Sequence, residues 1–245
     1  MYLYNLNYEA VIKSFMINSS IMKLKEEAYV FEDRAQAGRE LAKLLLPKYK
    51  NTHPLILGVP RGGVEVAFHV AQLLHADLHV IISKKLPFPG SSEYGFGAVA
   101  EDGSVYIAND RVDGLSPITI HHIVEKQLQE IRQRIATYRN GAPLPNMMDK
   151  TVILIDDGIA TGVTLVPLVQ LCRKRKVGQI IIATPVAGKQ FDEKLYEADA
   201  VEILVKPEPF YAVGQVYEEF GDFPDKALLR LLEQAHQRSL SGNST

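Results

Sequence analysis

The sequence predicts an α/β fold: a parallel five-stranded sheet with helices on both faces. Two observations carry this reading. Five short apolar runs recur along the chain, nearly continuous in Val, Ile and Leu, as strands buried on both faces must be. Between them lie segments whose apolar residues recur at helical spacing. Strands alternating with helices close by right-handed crossovers onto one parallel sheet.

The elements follow in order. Residues 1–28 show no clean period and read as a poorly ordered N-terminal extension, with Met1, Met16 and Met22 as alternative starts. Asp33-x-x-Gln36 has the form of a capping box. Ala37, Leu41, Leu44 and Leu45 then mark a helix that Pro47 is expected to end. Residues 55–59 form the first buried strand, Pro60-Arg61-Gly62-Gly63 breaks it, and residues 64–74 read as a helix. The second strand is residues 79–82. Residues 86–103, rich in Pro, Gly and Ser, are too long for an ordinary connection and read as a functional flap. Ser116-Pro117 opens a long helix with a cap and a first-turn proline, and Asn140-Gly141 closes it. Its apolar stripe is Ile120, Val124, Leu128, Ile131, Ile135 and Tyr138. The remaining strands are residues 151–155, 179–184 and 201–205, with helices over 164–176 and about 189–197. Residues 207–224 form an irregular aromatic hood, residues 225–237 a final helix, and residues 238–245 a loose tail. The main domain therefore runs over 29–237.

Composition narrows the classes of function. Lys plus Arg number 27 and Asp plus Glu 29, a net charge of −2, so no global basic field exists to hold a nucleic acid. The single cysteine, Cys172, excludes an internal disulfide and a multi-cysteine zinc site, and reads as a small core residue. Absence of a membrane-length apolar run and of a secretory pattern leads to the expectation of a cytoplasmic protein without a membrane partner.

The strongest chemical signal is residues 152–164. An apolar strand runs into Asp156 and Asp157, followed by Gly158, Ile159, Ala160, Thr161, Gly162, Val163 and Thr164. Small residues let backbone N–H groups approach a phosphate, and Thr hydroxyls and a following helix add donors. Two carboxylates would repel that phosphate on contact. One sugar-length away they would accept hydrogen bonds from vicinal hydroxyls, so the pattern specifies a ribose 5-phosphate. The plain alternative is an Asp-Gly turn with a capping Thr. Pro60, Arg61, Gly62 and Gly63 offer backbone donors and a guanidinium suited to pyrophosphate; a tight turn with Arg61 in solvent is the alternative. Lys84 and Lys85 lie at the end of the second strand, where alternation must turn one of them away.

Residues 152–164 resemble the phosphoribosyl-diphosphate (PRPP) motif of type I phosphoribosyltransferases. Residues 31–38, 59–67, 97–103 and 208–214 are similar to one branch of that superfamily, described only as predicted phosphoribosyltransferases. The resemblance implies Mg²⁺-dependent transfer of the phosphoribosyl group from PRPP to a nitrogen acceptor, with release of pyrophosphate. It implies that Asp156 and Asp157 hold ribose hydroxyls, residues 158–164 the 5-phosphate, and Arg61, Gly62 and Lys85 the pyrophosphate. An unusual cis peptide is expected within residues 60–62. Ser91, Ser92, Glu93 and Tyr94 would sit in a closing flap, and Phe210 and Tyr211 would stack on the acceptor. Mg²⁺ would be held mainly by PRPP, and a homodimer is in keeping with the superfamily. A non-catalytic PRPP sensor of the same fold is the alternative.

Other patterns carry less. Gly95-x-Gly97-x-x-Ala100 has a loose dinucleotide-loop spacing but follows no clear strand. His121, His122 and Glu125 mimic metal ligands on what reads as an exposed helix face. Arg173, Lys174, Arg175 and Lys176 complement a helix C-terminus. No Walker loop or nucleophile elbow is present.

Overall fold

A computed structural model describes residues 30–91, 95–108, 112 and 114–242. The expected N-terminal extension, flap residues Ser92, Glu93 and Tyr94, and residues 243–245 lie outside the described residues.

Five strands build the central sheet: β1 (Leu55–Gly58), β2 (Asp77–Val80), β6 (Thr151–Ile155), β7 (Gln179–Val186) and β8 (Ala200–Val205). All are parallel, in the order β2-β1-β6-β7-β8. Their alternation sorts side chains cleanly to two faces. Leu55, Leu57, Val152, Leu154, Ile180 and Ile182 face α4 (Val166–Lys174) and pack with Leu168, Val169, Leu171 and Cys172. Ile56, Ile153, Ile155 and Ile181 face α1 (Arg34–Tyr49) and α2 (Gly62–Leu74), meeting Leu41, Leu45, Val66 and Val70. Cys172 is fully buried, and burial pushes its thiol up to about 12. It is a core residue.

The capping box forms in modified shape: Asp33 Oδ1 accepts from Gln36 N–H, and Gln36 Oε1 accepts from Glu32 N–H. Pro47 does not end α1. It sits in the last turn, and the helix continues to bury Tyr49, whose hydroxyl donates to Glu202 Oε1 at 2.9 Å. The long helix is α3 (Pro117–Arg139), with Ser116 as N-cap and Asn140 left-handed at its end.

The expected flap of 86–103 is only partly a loop. A second, antiparallel sheet runs through β3 (Ser83–Pro87), β4 (Gly95–Ala100) and β5 (Val105–Ile107). The glycine content that suggests a loop is a packing requirement here: a Cβ on Gly97 would lie 2.1 Å from the Tyr106 carbonyl oxygen. The loose dinucleotide-loop pattern is therefore buried strand β4. Ser83 and Lys85 begin β3 rather than end β2, which stops at Val80. Three further boundaries move. The expected helix over 189–197 is a single 3₁₀ turn, Glu193–Glu197. The helix after the phosphate-type loop starts at Val166 instead of residue 164. The final helix, α5 (Asp225–Gly242), extends into the expected tail.

Candidate active site

The carboxyl ends of β1 and β6 lie side by side, and Val59 N–H donates to the Ile155 carbonyl at 2.8 Å. The Pro60–Gly63 turn is thereby packed onto Asp156 and Asp157. A Cβ on Gly62 would fall 2.0 Å from Asp157 Oδ2, and one on Gly63 would fall 2.8 Å from Asp156 Cα. The two glycines are needed for this approach, and a cis peptide joins Pro60 to Arg61, within the expected segment.

Asp157 is neutralised by a residue the sequence reading missed. Arg34 Nε lies 2.8 Å from Asp157 Oδ2, with side chains 10% and 17% exposed. Arg34 also donates to the Gly221 carbonyl at 3.0 Å, and its guanidinium lies 4.1 Å from the Phe220 ring centroid. A local signal existed. Arg34 is the first residue of α1, where a cation opposes the helix dipole, and local rules broken at that cost mark functional positions. Tyr217 donates its hydroxyl to the Asp157 carbonyl at 2.6 Å, and burial and the Asp157 charge raise its phenol. Among the described residues Asp156 has no such cation. Its Oδ1 accepts from Asp157 N–H at 2.9 Å, while burial, then the Asp157 charge, holds its carboxyl well above the usual range. Glu65, in the first turn of α2, is also raised, chiefly by burial.

The loop after Asp157 is held from outside. Ile159 pairs with Ala187 through bonds to the Val186 carbonyl (2.8 Å) and from Gly188 N–H (3.1 Å). The Thr161 and Gly162 carbonyls accept from Asp192 and Leu165, and the Thr164 carbonyl accepts from Ser83 Oγ at 2.8 Å. The backbone N–H groups of Ala160, Thr161, Gly162, Val163 and Thr164 make no hydrogen bond among the described residues. A run of unsatisfied donors next to a helix start is an anion cradle.

Arg61 faces acidic groups rather than open solvent. It pairs with Asp222, and its Nη1 lies 3.9 Å from Asp225 Oδ1. Arg34, Arg61, Gly62 and residues 220–223 enclose a cavity of about 410 Å³. The two lysines separate as alternation requires. Lys84 Nζ meets Glu130 Oε2 on α3 at 2.5 Å, and Lys85 falls on the strand face of Ser83, the face that touches the Thr164 loop. Ser91 follows a turn in which its N–H donates to the Phe88 carbonyl. The hood aromatics also divide: Phe210 packs against Gly188 and the cluster around Val186 and Val216, whereas Tyr211 is 83% exposed.

The remaining candidates stay apart from this constellation. His121 and His122 are exposed on α3, and no group of three ligating side chains that could hold a metal occurs among the described residues. Arg173 is bound to Asp199 and Lys174 to Ser104, on their own chain. Among the described residues no helix is long and apolar enough to cross a membrane.

The switch-point strands of the parallel sheet thus end in paired carboxylates, a run of backbone N–H groups and an arginine–glycine turn, side by side. The sequence profile described as "Phosphoribosyl transferase domain" matches residues 30–217, and the chain belongs to that family. Proteins from two strains of Mycobacterium tuberculosis, each provisionally named a phosphoribosyl transferase, are 35% identical over 85% of this chain. The chain spans about half the length of these curated relatives, 47%. The crystal structure of TT1426 from Thermus thermophilus superposes with a TM-score of 0.71 and 32% identity, covering 84% of this chain and 98% of that one.

Proposed function

We propose that this chain is a Mg²⁺-dependent phosphoribosyltransferase that moves the 5-phosphoribosyl group of PRPP to a nitrogen acceptor, releasing pyrophosphate. The observation that carries the reading is the position of Asp156 and Asp157. They lie between a run of five unsatisfied backbone N–H groups at 160–164 and the Pro60–Gly63 turn with Arg34 and Arg61. A ligand that suits the site has an anion at one end, hydroxyls in the middle and a larger anion at the other.

In this reading the N–H groups of 160–164 bind the 5-phosphate, and Asp156 and Asp157 accept from the ribose hydroxyls. Arg61, the Gly62 and Gly63 backbone and Lys85 take up the charge that develops on the leaving pyrophosphate. The cation would be carried mainly by substrate oxygens, with Asp156 and Asp157 as carboxylates beside it. Mg²⁺ supplies charge neutralisation at the pyrophosphate when bound. The chain's own contribution is positioning and fixed electrostatics rather than proton transfer. Tyr211, being exposed, suits an acceptor contact better than Phe210.

The test is thermal unfolding with and without PRPP plus Mg²⁺. Ligand at about 100 times its dissociation constant adds roughly 2.7 kcal/mol. At about 2–4 °C per kcal/mol for a chain of this size, the expected rise is roughly 5–11 °C. It should vanish in the Asp156→Asn/Asp157→Asn variant. No shift in folded protein refutes PRPP binding. A shift without pyrophosphate release against a panel of nitrogen bases would place the chain among PRPP sensors.

A further inference from the structure

The helix α3 carries a polar group where its apolar stripe needs none. Gln127 is four residues after Ile123 and four before Ile131, both packed into the cluster that joins α3 to β3, β4 and α5. It is only 5% exposed, yet its carboxamide makes no hydrogen bond among the described residues. Its polar atoms keep solvent contact beside the cavity it lines, so in an otherwise apolar stripe they are left to water or to a ligand. Two other polar anchors of this helix have partners: Glu130 pairs with Lys84, and Tyr138 donates to Asp225.

Gln127 lines a cavity of about 730 Å³ between α3 and the β3 edge. That volume is within the usual range of about 300–1,000 Å³ for small-molecule sites. Phe88 and Ile123 supply apolar walls, Lys84, Lys85 and Lys126 supply positive charge, and Glu130 is the acidic group among the described lining residues. The cavity lies against the α3 side of β3, and Lys85, given above to the pyrophosphate, is on its lining. Ser83 reaches the Thr164 carbonyl on one face of β3, and Lys84 reaches Glu130 on the other.

We propose that this cavity is a second ligand site that takes a nucleoside monophosphate. A carboxamide presents a donor and an acceptor side by side, the pairing that reads the edge of a nucleobase. Phe88 and Ile123 flank a planar ring, and Lys126 meets the phosphate at the exposed rim. Binding here is independent of whether the chain is a transferase.

The experiment is calorimetric titration of AMP, GMP and UMP, each in turn, into the wild type, Gln127→Leu, Lys126→Glu and Asp156→Asn/Asp157→Asn. Leu matches the surrounding stripe, so Gln127→Leu should fold. At least one nucleotide is expected to bind the wild type and the double aspartate variant alike. Gln127→Leu should weaken it at least tenfold and Lys126→Glu several-fold. Three results overturn the proposal: no binding of any of the three to wild type, equal binding by Gln127→Leu, or loss of binding in the aspartate variant. The last would put the nucleotide in the PRPP site. A nucleotide-independent dimer that dissociates in Gln127→Leu would also overturn it, since a second copy would then be the occupant.

Discussion

Replacing Arg34 by Met tests whether the carboxylate pair is held by this one cation. Arg34 and Asp157 are 2.8 Å apart and mostly buried, at 10% and 17% side-chain exposure. Removing one partner of a buried pair costs about 3–5 kcal/mol, because the other charge is stranded. Asp156, whose carboxyl burial and the Asp157 charge already hold high, lies directly beside the stranded group. The guanidinium over Phe220 adds roughly 0.5–1 kcal/mol. Methionine keeps most of the volume, so packing loss is small. A total of about 3.5–6 kcal/mol corresponds to a melting temperature lowered by roughly 7–24 °C. Scanning calorimetry at low salt reads it. The Arg34→Met/Asp157→Asn double variant should lose less than the sum of the single changes, because neutral Asn no longer needs the cation. A fall below about 4 °C for Arg34→Met, or strict additivity in the double variant, would refute the single-cation account.

Four further outcomes are expected. Asp156→Asn should stabilise the unliganded fold at pH 7: a carboxyl raised in the folded state supports stability below its unfolded pKa and loses that support as pH rises through its folded value, so the gain over wild type should fade as pH falls towards about 4. A gain that is absent at pH 7, or unchanged at pH 4, would contradict this. Arg61→Ala should weaken pyrophosphate more than ribose 5-phosphate in competition titrations; equal losses would remove Arg61 from the pyrophosphate subsite. Asp222→Asn should tighten pyrophosphate by no more than about fivefold, because the carboxylate on Arg61 is 80% exposed and a surface pair is worth only about 0–1 kcal/mol; weaker binding would mean that Asp222 orients Arg61 rather than competes for it. Gly62→Ala, with its Cβ 2.0 Å from Asp157 Oδ2, should cost about 1–3 kcal/mol in unfolding free energy and abolish the PRPP-induced shift; normal binding would show that the turn can relax.

The parts of the site that lie on one continuous stretch were legible in the chain. Asp156 through Thr164 follow a strand and precede a helix, and local pattern alone sets that order. Arg61 and the two glycines were legible for the same reason, as the punctuation after a buried strand. Arg34, Tyr217 and Asp222 were not, because they act across separations of 123, 60 and 161 residues, where no periodicity reaches. The antiparallel sheet was missed for a different reason: glycines that let β4 approach β5 resemble loop composition.

The sequence by itself determined the layered α/β architecture, since four- and five-residue apolar runs between amphipathic helices can be buried on both faces only in a parallel sheet. It also determined where the carboxylate pair and the small-residue loop begin. Only the tertiary structure decided the charge balance of that site. Whether Asp157 is neutralised, Asp156 left without a cation, Arg61 held by a hood carboxylate or Gln127 walled in beside a cavity depends on distances between elements far apart in the chain. Electrostatic and desolvation energies follow those distances and the depth of burial, and neither is written in the spacing of residues along a strand.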